Sequence, residues 1–342
     1  MTTESLLTQP LPWQNALWAR LTSQRTQRPH ALMLYGPRGM GKRSFGLAFA
    51  ASLLCRQPAP NGGACGVCSA CNWFARGNHP DFRLIQPEAD EVIDPTGETP
   101  STPAASSRKA SRLIRIEQAR ALQEWLSVGA HQGGLRVALL YPADAMNLAT
   151  ANSLLKTLEE PPPGTLILLI THNAEHLLPT VRSRCQALPT PIPARAQALQ
   201  WLTANGVADA DEALALAGGA PLTASDRPEL VALARTLVAD LAAPDQDAVA
   251  LGARYQTQVL ADVIDLLQKW VFDLAAGASG LGSRYFPQAA SDIARARRGI
   301  DLNHLIAYSR RLGRARELAD HPLAIRLVLE ELFIEYARLR TP

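Results

Sequence analysis

The sequence has no long hydrophobic run and no strong excess of one charge. No stretch of about 18 consecutive apolar residues occurs in the 342-residue chain, so no transmembrane helix is expected. The segment MTTESLLTQPLPWQ has no basic region followed by an apolar run, which argues against a signal peptide. The net charge of +3 neither demands nor excludes nucleic acid, because a basic surface can be local. These absences predict a cytoplasmic protein with no membrane partner.

Cysteine is also scarce, yet four of the five cysteines fall in one short segment. A clustered set in a reducing compartment indicates a metal site rather than a disulfide framework. Tetrahedral Zn²⁺ favours four thiolates, and C-x-x-C spacing lets two of them bind from one turn. His79 lies outside the tight cluster and precedes Pro80, so we leave it out of the set. The predicted ligands of a structural zinc ion are Cys55, Cys65, Cys68 and Cys71.

The sequence contains a phosphate-binding loop in which the last position of the motif is altered. The pattern G-x-x-x-x-G-K followed by Ser or Thr is met by Gly36, Gly41 and Lys42, but Arg43 stands where a hydroxyl would hold Mg²⁺. Ser44 does not replace that hydroxyl, because one residue further along a helix it is rotated by roughly 100°. The loop therefore keeps its strand-to-helix context, while ordinary Mg²⁺ chemistry is not expected.

Nucleotide binding at this loop is left open by the sequence. Backbone N–H groups around Gly39 and Gly41 can point at phosphate oxygens, and Lys42 adds a full charge. As a hypothesis, Arg43 supplies a fixed cation where Mg²⁺ would lie, so that ATP or ADP binds without metal. The preferred alternative is that Arg43 is solvent-exposed or paired with a carboxylate.

The acidic metal-binding element of a working ATPase is lacking as well. Such enzymes carry an aspartate, often with a glutamate, at the end of a neighbouring strand. The strand predicted over 136–141 is followed by Pro142 and Ala143 at the two acidic positions. Asp144 lies one residue beyond these two positions, and it is predicted to cap the next helix. Two independent losses indicate a chain without ATPase activity of its own.

The order of apolar segments predicts an α/β domain with a mostly parallel sheet covered on both faces. Buried strands are expected at 30–35, 82–85, 136–141 and 165–171, and helices at 44–54, 117–128 and 147–159. The α/β region is expected to end at Cys185, and helical periodicity continues to the end of the chain, with long helices at 257–276 and 322–338. The predicted domains are an α/β domain over 1–190, a small helical domain over 191–232 and a helical bundle over 233–342. Within the first, the zinc module covers about 55–79, and a polar, mobile loop covers about 88–112.

An arginine follows the last predicted strand, in Ser183-Arg184-Cys185. An arginine at a domain edge can reach the γ-phosphate held by a neighbouring subunit and stabilise the transition state in trans. Spacing alone does not establish this role, and in isolation the motif is more typical of a surface arginine.

Together these motifs resemble the AAA+ clamp-loader subunits of bacterial DNA polymerase III. The similarity rests on the segment NSLLKTLEEPP over 152–162, on Ser183-Arg184-Cys185 and on the four-cysteine insertion after the phosphate-loop helix. It covers most of residues 11–230. Within the family, the altered loop and the missing acidic pair are similar to the delta-prime group, whereas gamma and tau keep both ATPase motifs.

The resemblance implies a non-hydrolysing subunit of the DNA polymerase III holoenzyme, with a helical lid domain over 191–232 and a collar domain over 233–342. In this family, gamma/tau and delta subunits assemble with it and use ATP to place the sliding clamp on primed DNA. Arg184, with Ser183 and Cys185, would act on ATP in the adjacent subunit. A second sensor arginine is expected after Pro221, but Leu222-Thr223-Ala224 supplies none. Any DNA contact would go mainly to the phosphate backbone.

Two alternatives remain open at this stage. One is an ATP-hydrolysing clamp-loader subunit of the gamma/tau type. The other is a zinc-containing DNA-binding module that only retains the fold, which the near-neutral charge disfavours.

Overall fold

The protein is described by a computed structural model over residues 7–24, 28–90, 111–131, 134–243, 247–319, 321 and 324–340. It divides into two compact units, Met1–Pro193 and Ala194–Pro342. The loop predicted at about 88–112 falls mostly on residues 91–110, which lie outside the described residues.

The first unit is built on a five-stranded sheet whose paired strands all run parallel, in the order β2-β3-β4-β1-β5. Every residue of β3 and β4 is buried, as expected for parallel strands covered on both faces. The predicted α/β fold with a parallel sheet is therefore confirmed. The strands are β1 Ala31–Tyr35, β2 Phe82–Ile85, β3 Arg136–Leu140, β4 Thr165–Thr171 and β5 Gln186–Pro189.

Strand β5 extends the sheet past Cys185, where the predicted strands and motifs of the α/β region stop, and it lies within the α/β domain predicted over 1–190; sequence reasoning missed this strand. This strand pairs with β1, with Leu32 opposite Gln186 and Leu34 opposite Leu188. Three of its four residues are exposed, and it ends in Pro189. A short strand at the edge of a sheet tolerates proline and carries no apolar run, so the sequence pattern did not indicate it.

Helices pack on both faces of the sheet. Successive residues of a strand point to opposite faces, and accordingly Leu32 and Leu34 of β1 belong to one hydrophobic core and Met33 to another. Phe45 lies in the first core, with other residues of α2, and Leu122 of α4 lies in the second. The helices of this unit are α1 Asn15–Ser23, α2 Lys42–Leu54, α3 Ser69–Ala75, α4 Ile116–Ser127, α5 Leu148–Glu159 and α6 Pro179–Arg182.

In the second unit, the described residues form helices and no strands, as predicted. One core includes buried residues from Ala198 to Tyr336. At its centre, the indole N–H of Trp270 donates to the Tyr336 hydroxyl at 2.8 Å. The helices are α7 Arg195–Ala204, α8 Ala210–Leu216, α9 Pro221–Asp226, α10 Glu229–Ala242, α11 Ala248–Tyr255, α12 Leu260–Ala278, α13 Ala290–Ala296, α14 Leu302–Leu318 and α15 Ile325–Arg340.

The helices predicted at 257–276 and 322–338 correspond to α12 and α15, each beginning about three residues later. Helix α10 crosses the boundary predicted at 232–233. The division of this unit into a lid and a collar stays a prediction.

Candidate functional site

The phosphate loop connects β1 to α2 at the carboxyl end of the sheet. Gly41 is the residue before α2 and has a φ of 80°, a value that side chains with a Cβ rarely adopt. A Cβ at this position would lie 2.3 Å from Leu11 Cδ1. The positive φ therefore favours glycine here, and a side chain would also force the Leu11 methyl to move, which supports the loop pattern in the sequence. Gly36 and Gly39 also have positive φ values.

Lys42 is buried, with 3% of its surface exposed. Its Nζ donates to the carbonyl oxygens of Gly36 at 2.7 Å and Pro37 at 2.6 Å. Burial lowers the pKa of this lysine to about 8, an effect that Asp144 opposes and Arg38 reinforces. The ammonium group is thus held inside the loop, and a bound phosphate would have to draw it away from these two carbonyls.

A segment before α1 braces the loop, which sequence reasoning missed. The side chain of Gln14 is fully buried, and its Nε2 donates to the carbonyls of Met40 at 2.9 Å and Gly41 at 3.1 Å. The indole N–H of Trp13 also donates to the Met40 carbonyl, and the Thr8 hydroxyl donates to the Ser44 carbonyl at 2.6 Å. The start of α2 is therefore fixed by residues about 26 to 36 positions away in the sequence.

Arg43 is half-buried, and its guanidinium lies over the ring of Tyr141, 5.9 Å from the ring centroid. We preferred solvent exposure or a carboxylate partner for Arg43, and this prediction was wrong, because the guanidinium packs on an aromatic ring instead. Tyr141 in turn meets the His172 ring edge-on, with centroids 5.5 Å apart. The cation–π contact joins the start of α2 to the residue that follows β3.

Asp144 does not cap a helix, so that prediction was wrong. It lies in a short 3₁₀ turn, Ala143–Ala145, and Asn147 caps α5 instead. The Asp144 Oδ1 accepts hydrogen bonds from the Thr171 hydroxyl at 2.8 Å and from the His172 N–H at 3.1 Å. Burial raises the pKa of this carboxyl, but these donors outweigh it and hold the pKa below its ordinary value. Asp144 thus ties the end of β3 to the end of β4.

His172 follows β4 and was not singled out from the sequence. Burial lowers its pKa to about 4, helped by the cations of Lys42 and Arg38 and opposed by Asp144. The imidazole is therefore neutral at physiological pH. Ligands of open parallel sheets bind outside the carboxyl ends of the strands, and in the described structure this edge presents Lys42, Asp144 and His172 beside the loop.

The four clustered cysteines come together as predicted. Their sulfur atoms all lie within 4.8 Å of one another, with Cys55 to Cys68 and Cys65 to Cys71 both at 3.9 Å. Backbone N–H groups of Cys65, Cys68 and Cys71 donate to sulfur atoms of the cluster. Backbone donors lower the pKa values of Cys65 and Cys68, whereas burial raises those of Cys55 and Cys71. This group could bind a metal ion.

His79 lies outside that group, in agreement with its exclusion. It is buried, and its Nδ1 accepts from the backbone N–H of Asp81 at 3.1 Å. Its ring packs edge-on against Trp73. The histidine therefore helps the end of the cysteine module join β2 without belonging to the metal cluster.

Arg184 follows α6, and its side chain is 34% exposed. The Nη1 group donates to the Thr180 carbonyl at 2.8 Å, and Nη2 lies 2.5 Å from Glu159 Oε1. Ser183 donates its hydroxyl to the same carbonyl at 3.1 Å. Cys185 is partly buried against a hydrophobic core, and burial raises its pKa to about 11. Arg184 is thus a partly exposed cation beside the exposed Ser183.

The family described as "DNA polymerase III, delta subunit" matches residues 13–192, more than half of the sequence. The chain belongs to this family. The matched range contains the phosphate loop, the cysteine cluster and Ser183-Arg184-Cys185.

Two relatives illustrate how far the similarity extends. The chain is 44% identical over 218 residues to a protein named DNA polymerase III subunit delta' from Pseudomonas aeruginosa, covering 62% of this chain and 60% of that protein's length. It is 31% identical over 160 residues to a DNA polymerase III subunit gamma/tau of Mycobacterium bovis, covering 47% of this chain and 24% of the relative.

A gamma subunit-related protein of DNA polymerase III from Thermotoga maritima is similar in structure. The comparison gives a TM-score of 0.46 and 16% identity, and it covers 96% of this chain and 100% of that one. In the described part of the chain, no helix is long and apolar enough to span a membrane.

Proposed function

We propose that this chain is a non-hydrolysing AAA+ subunit of a DNA polymerase III clamp-loader complex. The observation that carries the proposal is the contrast between its two arginines. Arg43 stands at the sequence position of the metal-binding hydroxyl, and its guanidinium lies over Tyr141. Arg184 instead stands half-exposed at the surface of the same unit. Such a chain has little means of hydrolysing ATP itself but carries a cation that a neighbour's ATP can reach.

Arg184 would act in trans on ATP bound by an adjacent gamma/tau subunit. A guanidinium carries five N–H donors, and the contacts to Thr180 and Glu159 use only part of them. The remaining donors can meet the oxygens of a γ-phosphate. An arginine of this kind is worth about 10³ to 10⁵ in rate in related phosphoryl-transfer systems.

The altered phosphate loop would at most hold a nucleotide without hydrolysing it. The positive φ values of Gly36, Gly39 and Gly41 and the presence of Lys42 support phosphate binding, whereas Pro142 and Ala143 stand in place of the acidic pair. Asp144 already accepts two hydrogen bonds from residues at the end of β4. Its carboxylate is therefore committed to holding the sheet edge together.

The cysteine cluster would hold one structural Zn²⁺. With Zn–S bonds of about 2.3 Å, neighbouring sulfurs of a tetrahedral site lie about 3.8 Å apart, close to the 3.9 Å between Cys55 and Cys68. Four thiolates leave no open position for a reacting water, so the ion would stabilise the segment from Cys55 to Ala75 rather than catalyse a reaction.

The partners proposed for the assembled complex are gamma/tau and delta subunits, the sliding clamp and primed DNA contacted mainly through its phosphates. Two measurements test the assignment. The purified chain should hydrolyse no ATP above background, with or without Mg²⁺, and should enter a stoichiometric complex with gamma/tau and delta subunits in size-exclusion chromatography. Intrinsic ATPase activity that disappears in Lys42→Ala would instead favour the gamma/tau-like alternative. Tight, salt-sensitive DNA binding by the isolated chain would favour the DNA-binding module.

A further inference from the structure

The exposed arginine of the Ser183-Arg184-Cys185 motif has a carboxylate partner within its own unit. Glu159, the last residue of α5, lies with Oε1 2.5 Å from Arg184 Nη2, and its side chain is 47% exposed. On the other side, the Thr180 carbonyl accepts from Nη1 at 2.8 Å. The guanidinium is therefore bound at two of its corners before any neighbour arrives.

We infer that Glu159 is a positioning residue that holds Arg184 in a resting state and weakens its action on a neighbour's ATP. This inference rests on the proposed function, because it assumes that Arg184 meets a phosphate in trans. A carboxylate in contact with a guanidinium offsets its charge, so an approaching γ-phosphate meets a weaker positive field. To reach full effect, the arginine exchanges the Glu159 carboxylate for phosphate oxygens when the subunits dock.

The neighbouring residue Glu160 provides a matched comparison. It has the same charge, is exposed, and differs by one position along the chain. Among the described residues, no cation lies within ion-pair distance of Glu160, whereas Glu159 contacts Arg184 directly. An effect that comes from local net charge would appear in variants of both residues, and an effect that comes from the ion pair would appear in Glu159 variants only.

Glu159→Gln separates the charge of this residue from its contact. Glutamine has the same length and keeps a carbonyl oxygen that can accept from Nη2, so the arginine keeps its direction while the negative charge is removed. Exposed ion pairs are worth about 0.2–1 kcal/mol, which corresponds to a change of about 1.4- to 5-fold. We therefore expect Glu159→Gln to raise single-turnover ATP hydrolysis by that factor in complexes with gamma/tau, delta, clamp and primed DNA. Because salt screens exposed pairs, the gain should shrink as ionic strength rises.

Four variants decide the matter in the same assay. Glu160→Gln should hydrolyse ATP at the wild-type rate, and Glu159→Gln combined with Arg184→Ala should be as slow as Arg184→Ala alone, because the effect passes through the arginine. A rate in Glu159→Gln that is unchanged, lower, or matched by Glu160→Gln overturns the inference, while the proposed function stands if Arg184→Ala is slow. If Arg184→Ala hydrolyses ATP like wild type, the proposed function itself fails, and the role of Glu159 fails with it.

Discussion

Replacing Gln14 with leucine tests whether the segment before α1 holds the phosphate loop in place. The Gln14 amide donates to the carbonyls of Met40 and Gly41 and accepts from the N–H of Leu11 at 2.9 Å, within a fully buried side chain. Leucine has a similar size but can make none of these bonds. The Leu11 N–H would lose its acceptor, whereas the Met40 carbonyl keeps the Trp13 indole N–H and the Gly41 carbonyl keeps the Phe45 N–H as donors. Each lost bond contributes about 0.5–1.5 kcal/mol, so we expect a total loss of about 1–3 kcal/mol around the start of α2.

The assay is amide hydrogen exchange, followed by mass spectrometry, over residues 39–45. A loss of about 1–3 kcal/mol in local opening free energy accelerates exchange by about 5- to 150-fold. Gln24→Leu serves as the control, because Gln24 is exposed just after α1 and should leave these amides unchanged. Equal exchange in Gln14→Leu and wild type would refute the bracing role that the structure assigns to this side chain.

Two further predictions follow from the metal cluster and from the half-buried imidazole of His172. Four cysteines hold roughly one zinc ion per chain. Cys71→Ser, at the most buried of the four, should lose this ion, while the control Cys185→Ser should keep it. Metal analysis of the purified variants tests this, and equal zinc content in both would contradict the proposed zinc site. The pKa of His172 is lowered to about 4 by burial and by nearby cations, against about 6.5 in an unfolded chain. Between these values the unfolded state binds more protons, so the free energy of unfolding should fall as the pH drops from about 6.5 to about 4. In urea titrations, His172→Asn should reduce the dependence of the free energy of unfolding on pH, and the exposed control His176→Asn should not. An equal pH dependence in His172→Asn and wild type would contradict the lowered pKa of His172.

The features predicted correctly from the sequence are those that depend on residues close together along the chain. Continuous apolar runs predicted β1, β3 and β4 within about a residue, because buried parallel strands need apolar side chains on both faces. The cysteine spacing predicted which four residues meet, because a segment this short can bring all four sulfur atoms to one point. The glycines of the phosphate loop were likewise evident from a short motif, and Gly36, Gly39 and Gly41 all have positive φ values.

The contacts that sequence reasoning missed join distant segments through polar side chains. Gln14 reaches the phosphate loop over 26 positions, and Asp144 reaches Thr171 over 27. No periodicity marks such residues, because one hydrogen-bonded side chain leaves no pattern in its neighbours. Asp144 was predicted to cap the nearest helix, because nothing in the sequence indicated its contact with Thr171 at the end of β4. The partnership of Glu159 with Arg184 depends on sheet order in the same way, since it joins the end of α5 to the segment before β5.

The role proposed for Arg184 is its action on a neighbour's ATP. Its most direct test is single-turnover ATP hydrolysis in complexes reconstituted with gamma/tau and delta subunits, clamp and primed DNA, comparing Arg184→Ala with Arg182→Ala. Arg182 is a suitable control because it lies two residues away and contacts the Ala174 carbonyl of its own unit. Hydrolysis at the one site facing this chain should slow by about 10³-fold or more in Arg184→Ala, and the Arg182→Ala complex should be unaffected. Equal hydrolysis at every site in the Arg184→Ala and wild-type complexes would contradict this role.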